Sequence, residues 1–110
     1  MPAKSGAYMV LSKVDLSGIS ELQVQAMAPK PQVNALGGKI ELRLDSPKGK
    51  LVGESAFLEP SEQMSMNPNI LKVPIGKVEG LHDIYVVFVN PKAENGTLMI
   101  VTGLEFKLND

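Results

Sequence analysis

The sequence predicts an all-β chain folded as an antiparallel sandwich of about seven strands with little or no helix. Three observations carry this. Gly38–Glu54 reads as strand, turn, strand; Glu21–Ala28 and Leu104–Leu108 alternate apolar and polar residues with period two; and no segment sustains a 3.6-residue apolar repeat with helix caps.

The elements follow in order. Tyr8–Val14 is a short apolar run closed by the turn residues Asp15-Leu16-Ser17-Gly18. In Glu21–Ala28, Leu22, Val24 and Ala26 share one face, with Gln23, Gln25 and Met27 on the other. Pro29, Pro31 and Gly37-Gly38 bracket a connection that cannot be regular. Ile40, Leu42 and Leu44 alternate with Glu41 and Arg43, and Asp45-Ser46-Pro47-Lys48-Gly49 reverses the chain. In that turn Asp45 supplies an acceptor, Pro47 a fixed φ, and Gly49 the freedom to take a positive φ. Leu51 and Val52 resume extended structure. Phe57–Asn69 is the longest irregular piece. Ile70–Ile75 is a short strand whose Pro74 places it at an edge or a strand end. Gly76–Gly80 turns. His82–Asn90 is apolar on both faces, as in a strand covered twice or one whose outer face has a function. Asn90-Pro91 opens a loop that closes at Asn95-Gly96; the sequon Asn95-Gly96-Thr97 is read as a tight turn. In the last strand Leu104, Phe106 and Leu108 face in, and Glu105 and Lys107 face out.

A length of 110 residues suits one domain spanning 1–110. Eleven basic and twelve acidic residues are spread evenly, so no basic face forms for nucleic acid. No apolar run approaches a membrane span. Cysteine is absent, which excludes disulfides and thiolate chemistry. The first residues carry no export signal.

Catalysis is not expected. His82 is the single histidine, and its neighbour Asp83 points to the opposite face of a strand, so the two cannot form a general-base pair. No nucleophile motif is present, and one histidine without cysteine leaves no transition-metal ligand set. Glu41 and Glu105 could approach across a sheet, but a solvated pair is the simpler reading. No acidic cluster demands calcium.

Four runs carry a resemblance: Gly6–Gln25, Gly37–Glu54, Ile70–Phe88 and Gly103–Leu108. Their order, the Arg-Leu-Asp-Ser-Pro turn and the Gly-x-His-Asp-x-Tyr approach to the penultimate strand resemble the C-terminal three-quarters of a family 6 carbohydrate-binding module. The resemblance implies a galactose-binding-like jelly roll that is non-catalytic and appended to a larger secreted protein. It implies an extracellular or periplasmic location through that parent, and a framework role for His82 and Asp83.

The departures bear on the sugar site. Family members begin with a further strand and loop, and hold a sugar ring between two aromatics in the end loops. One aromatic would fall before Met1; the other falls where this chain has Met64, Ser65, Met66, Asn67, Pro68 and Asn69. The orienting asparagine falls at about Ile100, a further aromatic at about Gly103, and a calcium aspartate at about Thr102. The end-loop site is thus expected to be degraded, with Met64, Met66, Asn67 and Asn69 as its remaining candidates. No cofactor is expected, and the usual ligands for a structural calcium are not evident.

Some family members use a second site on the concave face of one sheet. Gln23, Gln25, Glu41, Arg43 and Tyr85 are the candidates for a hydrogen-bonding patch around one ring there. The expected partners are a poly- or oligosaccharide, neighbouring domains of the parent, and a second copy through an unpaired sheet edge; nucleic acid and membrane are not. The alternative function is a structural or protein-interaction sandwich that has lost its sugar.

Overall fold

A computed structural model describes residues 2–29, 34–61, 69–91 and 96–108. These form eight strands: β1 (Pro2–Lys4), β2 (Tyr8–Asp15), β3 (Ile19–Met27), β4 (Lys39–Leu44), β5 (Leu51–Glu54), β6 (Asn69–Pro74), β7 (Leu81–Val89) and β8 (Thr97–Leu108). There is no helix among the described residues. Two four-stranded antiparallel sheets result, one ordered β1-β8-β3-β6 and the other β2-β7-β4-β5. The expected all-β sandwich is what forms, and β1 is the strand beyond the seven read from the sequence.

The core lies between the sheets and is built by the alternation. Leu22, Val24 and Ala26 of β3 face Ile40 and Leu42 of β4 and Ile84, Val86 and Phe88 of β7, all buried. Pro74 ends β6, which is the outer strand of its sheet, so its missing N–H costs no ladder bond. β7 is interior, and the outward-facing Val87 is itself only 7% exposed.

Two local features differ from the sequence reading. In the β4–β5 turn the left-handed residue is Asp45 (φ 66°), not Gly49. Gly49 is required for space: a Cβ there would meet the Leu44 carbonyl oxygen, while its N–H donates to Ser46 O at 3.1 Å. In β2, Ser12 and Lys13 oppose the single residue Asp83 in a bulge. Lys13 takes φ 53° there, and its N–H donates to Asp83 Oδ1 at 3.0 Å.

One end of the sandwich is tied by Asn90, which is buried. Its Nδ2 donates to Leu36 O at 3.4 Å and Gly37 O at 3.2 Å, while its backbone N–H donates to Ser5 Oγ at 3.2 Å. Gly37 (φ 77°) has no room for a side chain, because a Cβ would collide with the Leu58 carbonyl oxygen.

Candidate functional site

Strand periodicity places Glu41, Arg43 and Tyr85 on the outer face of the second sheet, where β4 and β7 are neighbours and Arg43 sits directly opposite Tyr85. Gln23 and Gln25 lie on β3, in the first sheet, on the other side of the molecule. The five candidates therefore do not surround one ring. Alternation correctly turns all five outward, but the two sheets turn them away from each other. The same separation removes the Glu41–Glu105 approach: Glu105 lies on β8 opposite Gln23. The two glutamines are engaged locally, Gln23 Nε2 donating to Glu21 Oε2 at 3.2 Å and the Gln25 side chain lying over Gly103.

The outer face of the second sheet gains instead a residue that the sequence reading did not select. Tyr8, on β2, is paired with Val87, and Val10 with Tyr85, so the two tyrosines are diagonal neighbours on one face. Their ring centroids are 5.2 Å apart at an interplanar angle of 54°, a tilted aromatic pair. Tyr8 is 48% and Val10 41% exposed, which leaves ring and aliphatic surface open beside Tyr85. The signal was present in the alternation of Tyr8 and Val10 with Met9 and Leu11; the missing step was knowing that β2 pairs with β7.

Polar groups flank this apolar strip on β4 and β5. The Arg43 guanidinium donates to Glu41 Oε1 through Nε at 3.2 Å and Nη2 at 3.0 Å, and to Gly49 O through Nη1 at 2.9 Å. Glu41 directly faces Glu54 across the ladder, an arrangement that would be repulsive alone. Lys39 resolves it, with Nζ 3.0 Å from Glu54 and 3.8 Å from Glu41. Its hydrogen bond to Glu54 is the main reason its ammonium is held above the ordinary lysine range. The face thus offers a stacking strip with fixed donors and acceptors alongside, and it holds no acid–base pair aimed at a cleft.

At the end loops, Met64, Met66 and Asn67 lie outside the described residues. Asn69 is the exposed first residue of β6, paired with Ala26. Ile100 and Gly103 are β8 residues paired with Met27 and Gln25, and the Thr102 hydroxyl donates to Gln25 O at 3.3 Å. No stacking ring stands at either position.

At the opposite end, a depression of about 430 Å³ is bordered by Leu44, Asp45, Lys50 and His82. His82 Nδ1 is 3.1 Å from Asp45 Oδ2 and Nε2 is 3.1 Å from Glu79 O. The Asp45 carboxylate, then the Glu79 carbonyl, hold the imidazole above its ordinary value. Asp45 also binds the backbone of Asp83 through two hydrogen bonds, so these residues lock the β4–β5 turn onto β7. Among the described residues, no three metal-ligating side chains gather.

Comparison with known proteins returns the same architecture. No protein-family model matches the chain, and no curated protein matches it. A family 6 carbohydrate-binding module from Clostridium cellulolyticum, solved with xylose, aligns with a TM-score of 0.76 and 27% identity over 96% of this chain and 74% of that one. A β-1,3-glucan-binding family 6 module from Bacillus halodurans aligns with a TM-score of 0.75 and 21% identity, covering 94% and 71%. A family 43 arabinoxylan arabinofuranohydrolase from Bacillus subtilis, solved with cellotetraose, aligns with a TM-score of 0.77 and 24% identity; it is matched over 98% of this chain. The chain spans 20% of that enzyme's length. The fold is that of family 6 modules, as the sequence resemblance implied.

Proposed function

We propose that this chain is a non-catalytic carbohydrate-binding module that takes a poly- or oligosaccharide on the outer face of its second sheet. The observation that carries the reading is the Tyr8–Tyr85 pair standing beside the Glu41–Arg43 hydrogen-bonded pair on one face. A pyranose presents a C–H face that packs on an aromatic ring, and equatorial hydroxyls that need directional partners at its rim. Tyr8, Val10 and Tyr85 supply the first, and Arg43, Glu41 and Lys39 the second. The xylose and β-1,3-glucan ligands of the neighbours make neutral β-linked polysaccharides the first glycans to try. In this reading the module works as an accessory part of a larger secreted protein and brings that protein to its polysaccharide.

Affinity electrophoresis against xylan, β-1,3-glucan and cellulose derivatives tests it. Retardation by one of these that is lost in Tyr85→Ala and weakened in Arg43→Ala, with Asn69→Ala unchanged, supports the outer-face site. Loss in Asn69→Ala with Tyr85→Ala unaffected places binding at the end loops and refutes the outer-face site. Absence of retardation by every glycan refutes the reading. It favours the second one, a structural or protein-interaction sandwich, which the lack of stacking rings at Ile100 and Gly103 recommends.

A further inference from the structure

We infer that the ligand is an extended neutral glycan of about four sugars laid across the strands of the second sheet, with Leu51 as the contact at its far end. This rests on the sugar reading above and adds the ligand's direction, length and charge. Strand register sets the direction. Val10 pairs with Tyr85, Tyr85 with Arg43, and Arg43 with Leu51, so one row of the outer face crosses all four strands from β2 to β5. Tyr8 stands diagonally beside the Tyr85 end of that row. Leu51, at the other end, is 42% exposed.

A path along the strands offers less. On β7 the outward residues on either side of Tyr85 are Val87, which is buried, and Asp83, whose carboxylate already accepts the Lys13 N–H. On β4, Lys39 and Glu41 precede Arg43 on the same face and are tied up in ion pairs. Across the strands, by contrast, apolar surface stands at both ends of the row and a held guanidinium in the middle. Arg43 makes three hydrogen bonds, to Glu41 and to Gly49 O, so its position is fixed and two of its five N–H groups are left for ligand hydroxyls. The two cations of this face, Lys39 and Arg43, are balanced by the two carboxylates Glu41 and Glu54. The face therefore has no charge to offer an acidic sugar and suits a neutral one. Neighbouring strands lie ~4.8 Å apart, about the length of one β-linked pyranose, so a chain crossing the sheet presents about one sugar to each strand. The tyrosines take the sugars at one end, Arg43 binds at the middle, and Leu51 packs against the last ring.

Isothermal titration calorimetry of the intact chain with xylo-, laminari- and cello-oligosaccharides, from the disaccharide to the hexasaccharide, measures the length. Affinity for the preferred series is expected to climb to the tetrasaccharide and then level off. Leu51→Ser, a change at an exposed position, is expected to weaken the tetrasaccharide by about fivefold and to leave the disaccharide, held at the tyrosines, unchanged. Tyr85→Ala should weaken both. Circular dichroism confirms that each variant is folded. An affinity already complete at the disaccharide overturns the proposal while leaving the sugar site in place. So does a Leu51→Ser chain that binds the tetrasaccharide as tightly as the wild type, or one that loses disaccharide and tetrasaccharide alike. Binding of no oligosaccharide at all overturns the sugar reading itself, and this proposal with it, and assigns the exposed strip to a protein partner.

Discussion

At the scale of single residues, His82 shows how a motif can be informative and still not mark a site. It is the only histidine, and its two ring nitrogens are held by Asp45 and by the Glu79 carbonyl. Both partners favour the protonated ring, so its folded pKa lies above the ordinary value of 6.5. A raised value of this kind contributes stability that is fully present below the ordinary value and is lost as pH rises through the folded one. The chain is therefore expected to unfold more readily at mildly alkaline than at mildly acidic pH on this account. Chemical denaturation across that range should show the slope, and His82→Gln should flatten it. Asp45→Asn tolerates the same left-handed backbone but carries no charge, so the single histidine resonance in NMR should titrate closer to its ordinary value. The sequence expectation that His82 and Asp83 are framework groups agrees with this geometry. Its physical basis, alternate faces of one strand, is also why Asp83 binds the β2 bulge at Lys13 while His82 reaches the turn.

At the scale of elements, what could be read depended on how local the determining forces were. β3 and β4 declare themselves, because Leu22, Val24 and Ala26 and then Ile40, Leu42 and Leu44 repeat at the pleat's own period. β1 does not: Pro2-Ala3-Lys4 is extended only because it pairs with Thr97–Ile100, almost a full chain length away. The candidate face was half legible for a related reason. Alternation says that Gln23 and Arg43 both point outward, but it carries no information on which sheet each strand joins. Sheet membership is decided by long-range pairing, and it places Tyr8 beside Tyr85 while removing the two glutamines. The same pairing explains Gly53, which looks unremarkable in the sequence. β5 and β6 are the outer strands of different sheets, and Gly53 lets them close one side of the sandwich. A Cβ there would collide with the Pro74 carbonyl oxygen and lie 3.2 Å from Val73 Cγ1. Gly53→Ala must push the two sheets apart, and an overpacked contact of this kind costs about 1–3 kcal/mol. Urea unfolding should show the lowered midpoint with an unchanged slope, whereas Gly18→Ala, which meets nothing within 4 Å, loses only what its positive φ (79°) costs.

At the scale of the whole molecule, the order of strands in space makes the last one indispensable. β8 is not an appended edge; it runs between β1 and β3 and places Leu98, Met99 and Val101 in the core. Without it the first sheet would consist of β3 and β6 alone, with β1 detached, and a pair of strands is at best marginal in water. The removed residues also leave Leu22, Val24 and Phe88 facing a void, so the loss combines missing ladder bonds with missing apolar burial. The first sheet cannot be completed until β8 is available, which makes folding depend on contacts between distant parts of the chain and correspondingly slow. A chain ending at Asn90 is therefore expected to show no cooperative thermal transition and to expose apolar surface to a dye such as ANS. Supplying residues 91–110 as a separate peptide should recover the transition in part, because β8 pairs through its backbone and needs no covalent link to do so. A truncated chain that melts cooperatively by itself would mean that β3, β6 and the second sheet make a sufficient core.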